Sequence, residues 1–291
     1  MNNKLYLVLF ILFIISCKTP ENKNNDNIDK SVSVANDLNS NQARVFSLPS
    51  PFQISAIIKL VGIDYNKTFI ENTANNNIAY SSPIYKALNL GVNYVDIYYS
   101  TVYEKYEVSV VYLEKIEKLM DELGLKTKKD FNLVDRFEKN IHNKDSLDYF
   151  IKLYQNDIQE YYNISEEKQI AFIIMTGIYV EGLYLLTNIY ENNLQNKMLN
   201  SFMDNSIKKV LFQQATVSDN LIELLSSYND SKLDFLLEKL KTIQTEFNNM
   251  KIEYSSDSNN NITDVKINKK HIHNLMKVST DIRNSIIAEK K

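Results

Sequence analysis

Between Ile170 and Tyr190 the chain is apolar nearly all round, and Glu181 is the only charge in that stretch. A helix without a polar face belongs either in a membrane or at the centre of a bundle. The 21 residues are enough to span a bilayer. Against a span stand the mid-segment carboxylate, which costs about 3 kcal/mol to insert, and tyrosines that sit within the stretch instead of clustering at its two ends. The expected role is a central core helix, covered by the apolar stripes of at least three others.

Segments able to supply those stripes are legible on both sides. Pro51 and Gln53 after Ser50 make a capping box with proline at the first helical position, followed by Ile54, Ile57, Ile58 and Val61 up to Gly62. Ser82-Pro83 repeats the same start. From Val92 to Val111 the residues favour strand by propensity, yet Ile84, Leu88, Gly91, Val95, Tyr98 and Val102 recur at three and four residues. That spacing predicts helix, broken near Thr101 to Lys105, with a further helix through Val108, Ile116 and Leu119 to Gly124. Leu147 to Tyr161 forms another stripe. Leu233, Leu236, Leu240, Ile243, Phe247 and Met250 make a narrow seam, and Ile272 to Ile286 a last helix. Lys251 to Asn268 reads as a small hairpin or only a loop. Only 5 Gly and 4 Pro in 291 residues also favour helices over sheets joined by tight turns. The fold class expected is all-α: an irregular multi-helix bundle around the central helix at about 170–190, with room for one β-hairpin near 251–268.

The N-terminus carries an address. A short polar start with Lys4 precedes eleven apolar residues, Leu5 to Ile15, and then Ser16 and Cys17. Eleven helical residues span roughly 16 Å, about half of a hydrocarbon core, which suits a secretory h-region and not a membrane span. Cys17 is the only cysteine, so no disulfide can form within the chain. Ile14-Ile15-Ser16-Cys17 resembles the bacterial lipobox. The resemblance implies lipidation at Cys17, cleavage before it, and, because Lys18 and not Asp follows, delivery to the outer membrane. Residues 1–16 are thus expected as signal peptide and 17–46 as lipidated cysteine and tether. The Asn-, Asp- and Ser-rich tether buries too little surface to order itself and spans roughly 30 Å as a coil. Residues 47–291 are expected as one helical domain.

Composition narrows the partners. A net charge of −3 suggests neither nucleic acid nor an anionic membrane surface. No phosphate loop, dinucleotide fingerprint, nucleophile elbow or zinc-protease helix occurs, so no cofactor or nucleotide is implied. The histidines are three, His142, His271 and His273. The H-x-H pair could ligate a metal from a strand but diverges on a helix, and no metal site is expected. Leu90-Gly91-x-x-Tyr94 resembles the start of a tetratricopeptide repeat, but no second copy follows.

Two carboxylates and four phenols remain as candidates. Glu181 in the core helix must be neutralised or paired, and with Asp96 it makes a possible acid–base dyad if their helices face each other. The structural alternative pairs Glu181 with a Tyr hydroxyl or Lys. Tyr94, Tyr98, Tyr99 and Tyr103 are expected as an exposed cluster on a binding surface.

Phe46-Ser47-Leu48-Pro49-Ser50-Pro51, Ala87-Leu88-Asn89-Leu90-Gly91-Val92 and the stretch Leu133 to Asn140 resemble a group of uncharacterised Bacteroidetes lipoproteins, over most of residues 45–250. That resemblance implies address and fold but no activity. In composition the chain is also similar to helical spirochaete surface lipoproteins that bind host proteins. Three functions follow: a non-enzymatic, lipid-anchored binding or scaffold domain with an envelope protein partner; an envelope enzyme using Glu181 and Asp96; and a surface lipoprotein that binds host proteins.

Overall fold

The computed structural model describes residues 51–75, 78–125, 168–258 and 262–289. The lipobox with Cys17, the tether, Ser50, the Leu147 to Tyr161 stripe and His142 lie outside the described residues. Eight α-helices and one antiparallel strand pair are present among the described residues, in the order α1 (Pro51–Leu60), α2 (Glu71–Ala74), α3 (Pro83–Val102), α4 (Tyr106–Glu122), α5 (Lys168–Gln195), α6 (Ser201–Ser226), α7 (Asp234–Asn249), β1 (Glu253–Ser256), β2 (Ile262–Lys266) and α8 (Lys269–Ile287). The fold is all-α with a small hairpin.

Local chemistry sets the boundaries. Ser82 caps α3 by accepting from the Ile84 amide, with Pro83 at the first turn. Between α3 and α4 the chain turns at Tyr103 to Lys105, where Glu104 takes φ 59°. The helical spacing of Val92 to Val111 thus prevails over its strand propensity, because both helices bury their β-branched faces. Gly62 and Gly124 stand just past α1 and α4 with φ of +83° and +71°, the left-handed conformation in which helices commonly end. In the hairpin Tyr254 faces Val265 and Ser255 faces Asp264, with a register shift between Ser255 and Ser256. It is moored to α6 through Asn205, which donates to Thr263 O and accepts from the Val265 amide.

Helix α5 is the expected centre. It is long and apolar enough to cross a membrane, yet 94% of its most apolar window is buried inside the fold. Helices α3, α6, α8 and α1 pack around it. The expectation of one central helix needs a correction: among the described residues, α5 shares the centre with a second helix that lacks an exposed face over most of its length. Every residue of α3 from Ala87 to Thr101 is buried as well, because α1, α4 and α5 all pack on it. The core is therefore a helix pair, α3 on α5, with the amphipathic helices around it.

Two glycines allow the pair to close. A Cβ on Gly177 would stand 2.0 Å from Leu88 O, and one on Gly91 would stand 2.2 Å from Ile174 O. Both obstacles are backbone, so the two helices touch main chain to main chain, and a side chain at either position requires the axes to separate.

A second correction concerns the tyrosines. Tyr94, Tyr98 and Tyr99 are buried, and Tyr103 is half-buried, because α3 has no solvent face on which to display them. Their hydroxyls turn inward. Tyr94 donates to Met120 Sδ at 3.7 Å, and Tyr103 donates to Ile63 O. Tyr99 accepts from the Asn66 amide at 3.0 Å. The rings of Tyr65, Tyr99 and Tyr103 lie against one another at 5.2–5.6 Å between centroids, an aromatic cluster that anchors the 61–69 loop.

Candidate functional site

Glu181 lies four residues beyond Gly177 on α5, and Asp96 five beyond Gly91 on α3. The close approach of the two helices at the glycines therefore brings the two carboxylates together. Both are fully buried, at 0% exposure. From α8 comes Arg283, 1% exposed, whose Nε donates to Glu181 Oε2 at 2.9 Å and whose Nη2 donates to Oε1 at 3.3 Å. This two-pronged geometry suits a guanidinium on a carboxylate. The guanidinium lies over the Tyr184 ring at 4.4 Å, and Nη2 and the Tyr184 hydroxyl both donate to Phe69 O. The partner of Glu181 is thus an arginine, not the Tyr hydroxyl or Lys expected from the sequence.

Asp96 sits in surroundings that oppose its charge. Burial, then the negative charge of Glu181, raise its pKa well above the ordinary carboxylate value, while Arg283 and the Thr73 hydroxyl pull the other way. Asp96 Oδ1 has no donor to accept from among the described residues; its neighbour is the Glu181 carboxylate. Two carboxylate oxygens can bond only if one of them carries a proton. Burial and the neighbouring charge therefore favour the protonated form of Asp96. The Thr73 hydroxyl bonds Asp96 Oδ2 and also lies 2.7 Å from Ile70 O, which accepts from Tyr112 at 2.6 Å. The centre gathers Arg283, Glu181 and Asp96 from three helices.

Beside this sealed centre lies a cleft of about 390 Å³, walled by Thr73, Ala74, Ile78, Ala79 and Tyr80 and by residues of α3 and α4. Thr73 belongs to both, as it lines the cleft and bonds Asp96 behind it. Asn93, from α3, and Val111, Glu114, Lys115 and Lys118, from α4, contribute side chains to its walls. Lys115 is tied to the Thr73 carbonyl, and burial lowers its pKa. Neither Glu181 nor Asp96 reaches the cleft surface.

The remaining candidates separate. His271 and His273 stand on α8, where they diverge; His273 Nδ1 lies 3.3 Å from Glu191. Among the described residues no group of three or more His, Cys, Asp or Glu side chains could hold a metal ion. Sequence reasoning missed Arg283 and the cleft. The signal for Arg283 was available, since it falls four residues after the buried Ser279 and three before Ile286, in phase with the apolar face of α8.

In comparisons with known proteins, the chain matches no family model, no curated protein and no solved structure.

Proposed function

We propose that this chain is a lipid-anchored protein of the bacterial cell envelope, held at the outer membrane through Cys17, and that its helical domain is a non-enzymatic binding or scaffold domain. The observation that carries the non-enzymatic reading is the burial of both candidate carboxylates. A general acid or base must come within hydrogen-bond reach of the proton it transfers. Glu181 is bound on both oxygens by Arg283, and neither carboxylate is exposed. A buried ionic group shared by three helices fits a device for fixing how they meet. A cleft beside it offers a surface for a ligand.

The anchor is supported by the match of Ile14 to Cys17 to the lipobox and by the position of the single cysteine. Its test is metabolic labelling with a fatty-acid probe in the native host or a bacterial expression host. Cys17→Ser should abolish labelling and leave an uncleaved or soluble precursor; undiminished labelling of that variant overturns the anchor. The partner is sought by affinity capture on the mature domain from envelope extract.

A further inference from the structure

We propose that the outer edge of β1 docks a second copy of this chain. The two β1 strands pair antiparallel about a twofold axis, Tyr254 facing Tyr254, and the two hairpins join into one four-stranded sheet. Such a dimer is independent of the lipid anchor.

The two outer edges of the hairpin differ. That of β2 is covered by α6: the Val265 amide donates to Asn205 Oδ1 at 3.2 Å, and Thr263 O accepts from Asn205 Nδ2 at 3.1 Å. These contacts also fix which way β1 points. Directly opposed residues of an antiparallel pair turn their backbone groups either both toward each other or both away. Val265 turns away from β1, and Tyr254 faces Val265, so the Tyr254 N–H and C=O point away from β2. Alternation along the strand gives Ile252 and Ser256 the same outward aim. No backbone bond joins this edge to any other described residue, and all four residues of β1 are exposed. A row of unpaired backbone groups is a template for another strand.

Charge complementarity makes the strand its own partner. Two copies of β1 can bond only in registers that oppose Ile252, Tyr254 and Ser256 to one another, because these carry the outward groups. Setting Ile252 against Tyr254 opposes Glu253 to Glu253, and setting Tyr254 against Ser256 opposes Glu253 to Asp257. Like charges directly opposite destabilise a strand pair. Setting Tyr254 against Tyr254 instead opposes Glu253 to Ser255 and Lys251 to Asp257, and the twofold axis makes that pairing of opposite charges twice. Lys251 and Asp257 are both exposed. In this register the Tyr254 rings become cross-strand neighbours. Each is 60% exposed in the single chain, with its ring 5.0 Å from that of Phe212, so pairing covers a large side chain that the fold leaves in water. A two-stranded hairpin is marginal by itself and four strands are not, and a self-complementary patch closes as a twofold dimer.

The test is sedimentation velocity of the full-length chain, joined to thiol cross-linking. The parent should show a concentration-dependent equilibrium between monomer and dimer. Tyr254→Pro deletes an outward N–H and no bond to β2, so it should weaken the dimer about tenfold or more and leave the helical circular dichroism unchanged. Lys251→Glu and Asp257→Lys should each weaken it by about fivefold, and the two exchanges together should restore it. Facing residues of a bonded pair stand about 5.5 Å apart at Cα, within disulfide reach. Tyr254→Cys should therefore give a linked dimer on mild oxidation, whereas Glu253→Cys, two positions out of register with its mate, should not. The other cysteine is Cys17, so the parent chain is the blank. A chain that stays monomeric to about 1 mM overturns the proposal, even if an added extended peptide pairs with β1, because the occupant is then not a second copy. A dimer undiminished by Tyr254→Pro forms through another surface and also overturns it, as does a Glu253→Cys chain that links as readily as Tyr254→Cys.

Discussion

The α3–α5 contact and the α6–α7 seam are both helix-on-helix packing, yet they are built by opposite means. At the first, side chains are removed: Gly91 and Gly177 let backbone meet backbone, and the space a turn further on is filled by a buried ionic group. At the second, side chains interlock: Leu233, Leu236, Leu240, Ile243 and Phe247 of the α7 stripe are all buried, with Leu211, Leu221 and Leu225 on α6. The difference sets how each responds to change. Interlocked aliphatic side chains can repack around a lost methyl group, whereas a backbone contact has nothing that can move aside.

Substituting one position in each region tests that contrast most strongly. Gly177→Val puts two methyls where a Cβ alone already meets Leu88 O at 2.0 Å. Overpacking against side chains costs about 1–3 kcal/mol; against backbone the cost should be larger, and the domain should lose its cooperative thermal transition. Leu240→Ala, fully buried in the seam, should cost about 2–5 kcal/mol as a cavity and keep a sharp transition at lower temperature. Differential scanning calorimetry of both variants decides it. A cooperative Gly177→Val protein, with a midpoint near that of the parent, would show that the helices do not meet at main chain.

These two regions also differ in how far the sequence reveals them. The seam is legible because Leu and Ile recur at steps of three and four, and aliphatic burial is the property that pattern encodes. The central position of α5 is legible for the same reason. Helix α6 has an equally regular buried face, but Gln214 and Ser218 stand within it, so the stripe does not stand out in the sequence. The α3–α5 contact is harder still. Glycine spacing within one helix does not say which residue of another helix it meets, and Gly91 and Gly177 lie 86 positions apart. Glu181 and Asp96 each stood out as charges in apolar surroundings, so the site was half legible. Their meeting, and the choice of Arg283 as counterion, depend on long-range packing that no local period records.

The next largest effect belongs to the cation. Arg283→Met should cost about 3–5 kcal/mol, the usual penalty for leaving a buried charge unpaired. Glu181→Gln should cost less, because a second carboxyl is present to take over. With the Glu181 charge gone, the main electrostatic cause that raises Asp96 is removed, while the Arg283 charge that lowers it remains. Asp96 can then ionise and serve as counterion. Tolerance of Glu181→Leu, reasonable for a carboxylate whose partner reaches water, is not expected with Arg283 at 1% exposure. Chemical denaturation of the Arg283 and Glu181 variants gives the order. If Glu181→Gln proves the more damaging, the shared counterion role of Asp96 is wrong.

The smallest effect is the most specific, and it concerns the proton on Asp96. An unfolded chain releases that proton near pH 3.9, whereas the folded protein holds it to a higher pH, because burial and Glu181 raise the pKa. Within that window the native state binds one more proton than the unfolded state, so the Asp96 contribution to stability falls as pH rises. The slope is about 1.4 kcal/mol per pH unit for a single proton. Below the window Asp96 is neutral in both states and its contribution is constant; above the folded pKa both states have lost the proton and the slope vanishes. Asn in place of protonated Asp keeps its size, with an amide N–H and carbonyl for the acid O–H and carbonyl, and it has no proton to lose. Asp96→Asn should therefore match the parent near pH 4 and become progressively more stable than it toward neutral pH. Denaturant midpoints measured from pH 4 to pH 8 check this directly. Parallel curves for the two proteins would mean that Asp96 is ionised in the fold, and a less stable Asn variant at neutral pH would mean that its charge, not its proton, holds the three helices together.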